Sequence, residues 1–285
     1  MTVDAVLVEQ FEAHRDHLRG VAYRMLGSVT EAEDAVQEAW LRLSRADTSG
    51  VANLGGWLTT VVSRVCLDVL RSRKSRREEP LETHVPDTIV AAADPDPADE
   101  AVLADSVGLA LLVVLETLSP AERLAFVLHD LFGVPFADIA PIVGRTPATA
   151  AQLASRARRR VRGAALPDAD VAAQREVIDA FLAASRSGDF DALLAVLDPD
   201  VVLRADAGVA GGSRLVRGAA AVANQAVLFE QLGAESRPVL VNGAAGLVAL
   251  VDGKPMSVFC PTVRAGRIVE INILADPERL AQLNL

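Results

Sequence analysis

Residues 135–162 read PFADIAPIVGRTPATAAQLASRARRRVR, and their apolar side chains recur at helical spacing in two short blocks. Glycine readily adopts a positive φ, so Gly144 predicts the end of the first helix. Proline is costly inside a helix, so Pro141 indicates that this helix is short and starts near residue 137 or 138. The apolar positions of the first helix are Phe136, Ile139, Ala140, Ile142 and Val143.

A second helix starts directly after the turn, because Thr146 followed by Pro147 is a typical N-cap and first-turn pair. Its apolar stripe consists of Ala150, Leu153, Ala157 and Val161. Its other faces carry Thr149, Gln152, Arg156, Arg159 and Arg160. Two helices around a short turn are typical of a helix-turn-helix, whose second helix enters the DNA major groove. An αα-hairpin with a solvated basic face is the alternative, but residues 156–162 contain five arginines and no acid.

A chain of 285 residues is long enough for two or three domains, each with its own core. Its apolar runs, such as Leu109 to Leu115, are too short to cross a bilayer. The first residues lack the apolar segment of a signal peptide, and Cys66 and Cys260 lack the spacing of metal ligands. We therefore expect a cytoplasmic protein without a membrane span, a metal or another cofactor.

The net charge of −10 would by itself argue against nucleic-acid binding, but the charge is unevenly distributed. Residues 78–105 carry nine acids and no Lys or Arg, whereas residues 1–77 have a net charge of +1 and residues 106–165 of +3. Basic residues cluster at 71–77 and at 156–162. Two such clusters indicate two places where the protein holds phosphates.

Residues 1–77 contain three amphipathic helical patterns. The first ends at Gly27, the second follows a capping box of Thr30 and Glu33, and the third starts near Trp57. The third helix runs into a tail with five basic residues between 71 and 77. A basic end would also complement the helix dipole, but this density of cations favours phosphate binding.

Residues 106–165 add two helices before the helix-turn-helix. Ser119 and Glu122 predict a capping box, and the helix that follows would end at Gly133. The side chains expected on its inner face are Leu124, Leu128 and Leu131.

Three segments, in this order, resemble the conserved segments of extracytoplasmic-function (group 4) sigma factors, the bacterial RNA polymerase specificity subunits with two helical domains. They read AEDAVQEAWLRL, NLGGWLTTVVSRVCLDVLRSRKSRR and LSPAERLAFVLHDLFGVPFADIAPIVGRTPATAAQLASRARRRVR. The resemblance covers about the first 165 residues. It implies sigma region 2 at residues 1–77, an acidic linker at residues 78–105 and sigma region 4 at residues 106–165.

The resemblance also implies three binding surfaces. The second helix would dock on core RNA polymerase through Asp34, Gln37, Glu38, Trp40 and Leu41; core packing is the alternative role of Trp40. A flipped base and the melted strand of the minus-10 element would be held by Asn53, Trp57, Arg64, Asp68, Arg71, Arg73 and Lys74. The minus-35 duplex would be bound by Arg145, Thr146, Thr149, Gln152, Arg156, Arg159 and Arg160.

The acidic linker contains prolines and no basic residue, so we expect it to be extended or disordered in the free protein. In the family that the chain resembles, this linker threads the polymerase cleft that RNA later occupies. A row of carboxylates would there imitate nucleic acid on a basic surface. A plain spacer is the alternative.

Residues 170–285 show helical patterns followed by strand-like runs, which indicates an α+β domain. The pairs Asn242-Gly243, Asp252-Gly253 and Ala265-Gly266 predict hairpin turns. The stretch GDFDALLAVLDPDVVLRADAG resembles the SnoaL-like domain, a curled antiparallel sheet and helices that form a cone around a pocket. The expected fold is therefore two all-α sigma domains followed by a C-terminal α+β cone.

Enzymes of the SnoaL-like type use Asp, His or Tyr side chains in the cone for acid–base chemistry. Residues 170–285 contain no His and no Tyr, and Asp206 beside Arg204 is a lone carboxylate. We therefore expect no catalytic residue, and a regulatory rather than an enzymatic domain. A small apolar ligand in the pocket is left open.

Sigma factors with this appended domain form a group called SigJ-like, which carries a DGGG-type motif and an NPDKL-type motif. The matching positions here give the expected regulatory residues Asp206, Gly208, Gly211, Gly212, Asp276, Pro277 and Leu280. An N-cap and a first helical turn are the alternative role of Asp276 and Pro277. The group's tryptophan-containing linker motif is missing, which argues against the group's usual grip on the linker.

The sequence thus predicts an alternative sigma factor that binds core RNA polymerase, recognises minus-35 and minus-10 elements and initiates transcription. Its C-terminal domain would modulate activity by packing against the sigma domains within the same chain. One alternative is a helix-turn-helix regulator that never joins polymerase. Another is a helix-turn-helix fused to a small-ligand cyclase- or isomerase-like domain.

Overall fold

The computed structural model describes residues 3–46, 51, 53–76, 84–93, 108–163, 167–168, 170–230 and 233–283. The chain divides into two compact units. The first, called the helical unit, comprises residues 1–78 and 114–163. The second, called the C-terminal unit, comprises residues 79–113 and 164–285. Within the described ranges, we find no helix long and apolar enough to cross a membrane.

The helical unit begins with α1 (Val3–Leu26), α2 (Val29–Leu43) and α3 (Leu54–Arg76). Gly27 ends α1 with a φ of 69°, as predicted. Ser28 is then extended and caps α2, because its hydroxyl accepts a hydrogen bond from the Glu31 N–H at 3.4 Å. The predicted capping box at Thr30 and Glu33 is therefore wrong, since α2 starts before Thr30.

Helix α4 (Leu109–Glu116) begins in the C-terminal unit and ends in the helical unit. The remaining helices of the helical unit are α5 (Pro120–Phe126), a π-helical turn (Val127–Leu131), α6 (Phe136–Val143) and α7 (Pro147–Arg162). Ser119 and Glu122 form the predicted capping box of α5. A π-turn places an extra residue in each turn and so rotates the side chains that follow it. Leu131 is therefore 36% exposed and not on the inner face.

Helix α6 starts at Phe136, one or two residues earlier than predicted, with extended Pro135 as its N-cap. Pro141 therefore lies inside α6, on its exposed side. Within the helical unit, α3 packs on α5 and α6, and α1 packs on the π-turn. The two predicted sigma regions thus share one core in this unit.

The C-terminal unit is built on a seven-stranded sheet in the order β1-β4-β5-β6-β7-β2-β3. Its strands are β1 (Val90–Ala92), β2 (Leu197–Asp206), β3 (Arg214–Arg217), β4 (Glu235–Val241), β5 (Ala244–Val251), β6 (Lys254–Arg264) and β7 (Arg267–Leu274). All neighbours are antiparallel except β2 and β7, which are parallel. The hairpin turns are confirmed, because Asn242, Asp252 and Ala265 all have a φ near 50° and precede glycines with positive φ.

Among residues 167–283 that the structure describes, the sheet is accompanied by helices α8 (Val171–Ser187), α9 (Phe190–Val196), α10 (Gly208–Gly211), α11 (Ala219–Glu230) and α12 (Pro277–Leu280). Helices α8, α9 and α11 pack with one set of strand side chains around Phe181, Leu193 and Ile271. A second core cluster gathers strand residues such as Val258 and Leu274.

The second cluster also contains Val85 from the predicted linker and Leu109 from the start of α4. Val85 is completely buried, and residues 90–92 form the edge strand β1 on β4. Residues 84–93 of the predicted linker are therefore held on the C-terminal unit. An unpaired edge strand offers backbone hydrogen bonds to any neighbouring segment, and the apolar linker residues use them. The rest of the predicted linker, residues 78–83 and 94–105, lies outside the described residues.

Candidate functional sites

The helix-turn-helix of α6 and α7 is stabilised at its turn. Gly144 adopts a left-handed conformation with φ 68° and ψ 42° and closes α6. The Thr146 hydroxyl accepts a hydrogen bond from the Thr149 N–H at 3.2 Å and caps α7. The buried residues of α7 are Ala150, Ala154 and Ala157, so the inner stripe includes Ala154 where the sequence predicted Leu153. Small side chains on this stripe let α7 approach its neighbours closely.

The outer face of α7 and its turn carries most of the residues predicted for the minus-35 duplex. Those with exposed side chains are Arg145, Thr146, Gln152, Arg156, Arg159 and Arg160, whereas Thr149 is half-buried. Arg160 also contacts the helical unit itself, through the Thr117 carbonyl at 3.2 Å and Glu122 at 3.5 Å. Arg158 pairs with Asp130 at 2.7 Å. The face open to a partner therefore centres on Gln152, Arg156 and Arg159.

Helix α2 presents the residues predicted to dock on polymerase. Asp34, Gln37 and Leu41 are exposed, and Leu41 is an apolar side chain in contact with solvent. Glu38 pairs with Arg42 at 2.8 Å. Trp40 packs on Phe11 with ring centroids 5.1 Å apart, which supports the packing role considered for it.

The residues predicted for the minus-10 element lie along α3. Asn53 Oδ1 accepts a hydrogen bond from the Gly56 N–H at 2.9 Å, so α3 starts before the half-buried Trp57. Arg64, Asp68 and Arg71 are exposed on α3, and Asp68 and Arg71 lie 3.7 Å apart. The side chain of Lys74 lies outside the described residues.

Arg73 differs from the other predicted minus-10 residues, because it faces the helical unit. Its guanidinium donates to the Leu26 carbonyl at 3.0 Å and pairs with Glu31. The last carbonyls of a helix lack partners within that helix, so Arg73 stabilises the C-terminal end of α1. A role in DNA binding would require Arg73 to leave this position.

Arg123 completes the same helix end from α5, and sequence reasoning missed it. It is 4% exposed, and it donates to the Met25 carbonyl at 2.8 Å and to the Leu115 carbonyl at 2.7 Å. Burial lowers the pKa of Arg123 to about 10, while buried Glu116 favours its charged form. One charged side chain thereby joins the predicted sigma regions 2 and 4.

A cluster that we call the linker clasp joins residues 84–87 to the C-terminal unit. It consists of Asp206, Arg279 and Asp87, with the His84 ring and the Val85 backbone. Arg279 reaches Asp206 at 2.8 Å, Asp87 at 2.7 Å and the Val85 carbonyl at 2.6 Å. The Asp206 carboxylate accepts from the Val85 N–H at 3.0 Å and lies 3.2 Å from His84 Nδ1.

Asp206 is held as an anion inside the unit. It is 3% exposed, and burial alone would raise the pKa of its carboxyl. The hydrogen bonds from His84, the Val85 N–H and the Gly208 N–H outweigh burial and lower the pKa well below its usual range. The Ser213 hydroxyl lies 3.4 Å from the same carboxylate.

The motif residues predicted as regulatory surround this clasp. Asp276 caps α12 by accepting from the Glu278 N–H, and Pro277 is the first helical residue, so the alternative role given for both residues is confirmed. Gly208 has a φ of 70°, and a Cβ there would lie 2.5 Å from Asp276 Oδ2. Gly212 also has positive φ, a Cβ on Gly211 would meet Ala207, and Leu280 is buried.

The C-terminal unit holds the linker at further points, although the group's tryptophan-containing linker motif is missing. Beyond the clasp, Ile89 and Asn242 exchange hydrogen bonds at 2.8 and 3.0 Å, and Arg175 donates to the Ala93 carbonyl at 2.5 Å. Sequence reasoning missed His84, Asp87 and Arg279. Their contacts are not visible in local patterns, because the carboxylate partners of Arg279 are more than 70 residues away along the chain. The one available signal was that Arg279 falls within the motif that begins at Asp276.

The described residues contain no group of three or more His, Cys, Asp or Glu side chains that could hold a metal. Cys66 and Cys260 are both buried and free. Burial raises the pKa of the Cys66 thiol to about 12, so this thiol is not a reactive one.

Comparison with known proteins agrees with these features. Residues 10–76 match the family model of Sigma-70 region 2, and residues 108–161 match that of Sigma-70, region 4. The chain is 41% identical to the ECF RNA polymerase sigma factor SigJ of Mycobacterium tuberculosis (strain ATCC 25618 / H37Rv), across 95% of this chain and 92% of that protein. It is 39% identical to the "Probable ECF RNA polymerase sigma factor SigI" of the same strain, across 96% and 94%.

The crystal structure of the M. tuberculosis extracytoplasmic function sigma factor SigJ is similar along almost the whole chain. Its TM-score is 0.76 at 38% identity, and the match covers 98% of this chain and 99% of that one. Both sigma-70 regions and a near full-length relative therefore agree with the helical domains, the helix-turn-helix and the appended α+β unit. The chain belongs to the ECF RNA polymerase sigma factors.

Proposed function

We propose that this chain is an alternative sigma factor whose C-terminal unit modulates transcription initiation through its hold on the linker. As an ECF sigma factor, it binds core RNA polymerase and recognises minus-35 and minus-10 promoter elements in the cytoplasm. The regulatory part of this proposal rests on the linker clasp, which binds the chain segment between the two promoter-binding regions.

The binding surfaces follow from the exposed faces. The minus-35 duplex contacts Arg145, Thr146, Thr149, Gln152, Arg156, Arg159 and Arg160. The melted minus-10 strand contacts Asn53, Trp57, Arg64, Asp68, Arg71 and Lys74, and also Arg73 once its side chain leaves the end of α1. Core polymerase contacts α2 at Asp34, Gln37, Glu38, Trp40 and Leu41. Support comes from the solvent exposure of most of these side chains and from the match of both segments to sigma-70 regions.

Regulation would operate as a competition between two states of the chain. A linker that must follow the polymerase surface cannot at the same time donate its Val85 N–H to Asp206. Polymerase binding must therefore work against the free energy of the clasp. Breaking a buried ion pair costs about 3–5 kcal/mol, and the pairs of Arg279 are partly exposed, so we expect about 2 kcal/mol here. That corresponds to roughly a 30-fold shift in the equilibrium between held and released linker.

The test is transcription in vitro with purified core polymerase at limiting sigma concentration. Arg279→Gln and Asp87→Asn should each raise transcription at least threefold, because both release the linker. Asp87 belongs to the linker itself, so its substitution leaves the core of the C-terminal unit unchanged. Arg264→Gln is the matched control, since Arg264 is exposed at the β6–β7 hairpin. Unchanged or lower transcription for both clasp variants would contradict the proposal.

Co-purification with core polymerase distinguishes a sigma factor from a regulator that never joins polymerase. Leu41→Arg should abolish co-purification with core polymerase, whereas Val8→Arg, at another exposed apolar position, should not. Equal recovery of both variants with polymerase would refute the role of α2.

We also propose that the C-terminal unit is not an enzyme. The carboxylate of Asp206 is occupied by Arg279, by His84 and by two backbone N–H groups, so it is not poised to move a proton. Turnover of a small apolar substrate that disappears in Asp206→Ala would support the enzymatic alternative.

A further inference from the structure

The C-terminal unit contains a partly open cavity of about 350 Å³ between its sheet and helices α8 and α11. Protein interiors pack with few voids larger than a water molecule, so a space of this size is not an ordinary packing defect. It falls in the range of small-molecule sites, about 300–1,000 Å³. None of its lining residues belongs to the promoter-binding surfaces.

The lining is mostly apolar and includes three aromatic rings, Phe181, Phe229 and Phe259. Phe181 and Phe259 stack with centroids 5.6 Å apart, which gives one wall a flat aromatic surface. The charged lining residues Arg214 and Glu230 have opposite signs, and Arg214 donates to Gln225 at 2.5 Å. A lining with no net charge and large apolar walls favours a neutral, mainly apolar molecule.

Ser185 adds a specific polar feature to this lining. It is 3% exposed, and its hydroxyl has no hydrogen-bond partner among the described residues. An unsatisfied buried hydroxyl costs about 1–3 kcal/mol, so its presence in a cavity wall needs a reason. A ligand with one hydrogen-bonding group would satisfy it.

Three chain segments line the cavity and also carry or contact residues of the linker clasp. Ala205 lines the cavity, and the next residue, Asp206, holds the Val85 N–H. Ala275 lines the cavity, and the next residue, Asp276, caps the helix that carries Arg279. Gly212 lines the cavity next to Ser213, whose hydroxyl lies near Asp206.

We propose that this cavity binds a neutral, mainly apolar small molecule with one hydrogen-bonding group, and that its occupancy tightens the linker clasp. A ligand that contacts Ala205 and Ala275 restricts the backbone that positions Asp206 and Arg279, so opening of the clasp becomes less frequent. The regulatory half of this inference rests on the proposed function, whereas the binding half does not.

Binding is tested on the full-length protein with N-phenyl-1-naphthylamine, a neutral probe that fluoresces in apolar sites and carries one N–H group. We expect saturable binding that is at least tenfold weaker in Ala226→Trp, because Ala226 lines the cavity from α11. Ala221→Trp is the matched control on the exposed side of the same helix and should bind as the wild type does. No saturable binding to the wild type, or equal binding by all three proteins, overturns the proposal.

Ser185→Ala gives a second test that does not depend on how Ala226→Trp folds. The competing ligand is 1-benzylnaphthalene, which replaces the N–H of the probe by CH2. The wild type should prefer the N–H compound about fivefold, as one hydrogen bond of about 1 kcal/mol implies, and Ser185→Ala should lose this preference. The variant should also melt at a higher temperature without ligand, because it removes an unsatisfied hydroxyl. A preference that persists in Ser185→Ala overturns the assigned role of Ser185.

Coupling is measured by hydrogen exchange of the Val85 and Ile89 amides, which donate to Asp206 and Asn242. Saturating probe should slow their exchange at least threefold. Unchanged or faster exchange with bound probe overturns the coupling while binding stands. The proposed function is judged separately, by the transcription of Arg279→Gln and Asp87→Asn without any ligand.

Discussion

Replacement of Arg123 by methionine is expected to destabilise the helical unit more than any exposed substitution. Arg123 is almost fully buried and donates two charge-assisted hydrogen bonds, at 2.8 Å to Met25 and at 2.7 Å to Leu115. Each such bond contributes about 1.5–3 kcal/mol, and the two carbonyls would lose a partner. Methionine fills part of the space with apolar contact, so we expect a net loss of about 3 kcal/mol.

The assay is urea unfolding followed by tryptophan fluorescence. Trp40 and Trp57 are the two tryptophans of the chain, and both belong to the helical unit, so the signal reports this unit alone. The urea concentration at the unfolding midpoint should be lower for Arg123→Met than for the wild type. The difference equals the loss of about 3 kcal/mol divided by the m-value of unfolding. Arg123→Lys keeps the charge without the two-pronged geometry, so it should lie between wild type and Arg123→Met.

Arg145→Met is the control, because Arg145 is exposed in the turn of the helix-turn-helix. It should change the free energy of unfolding by less than about 0.5 kcal/mol. If Arg123→Met also stays within about 0.5 kcal/mol of the wild type, the guanidinium does not join the two sigma regions in the way described.

Three further outcomes follow from the same geometry. The folded-state pKa of Asp206 is lowered, so its stabilisation is present above its usual pKa of about 4 and lost as the pH falls; melting from pH 7 to pH 3 should show a smaller drop for Asp206→Asn than for the wild type. Gly208→Ala should lower stability by about 1–3 kcal/mol, clearly more than Gly253→Ala, because both have positive φ but only Gly208 meets a neighbour; equal melting temperatures would contradict this. Arg156→Ala should weaken minus-35 DNA binding and reduce the slope of log K against log salt concentration by about 1. Arg158→Ala should change neither, because Arg158 pairs with Asp130; filter binding at several salt concentrations measures both.

Most secondary structure and the family were predictable from local patterns. The helix-turn-helix was readable because Gly144, Thr146 and Pro147 act through their own backbone neighbours. The hairpins were readable because their glycine-containing turns are local as well. The errors also have local causes: the π-turn rotated Leu131 outward, and Ser28 capped α2 before Thr30 could.

The sequence by itself determined most of the helices, strands and turns, since spacing and capping act over a few residues. Only the tertiary structure decided that Arg73 and Arg123 face the end of α1, and that Arg279 clasps Asp87 and Asp206. The end of α1, Asp206 and Asp87 lie between 47 and 192 residues from these arginines along the chain. A buried charge is stable only beside a specific partner, and that partner is set by how the core packs, not by the neighbouring sequence.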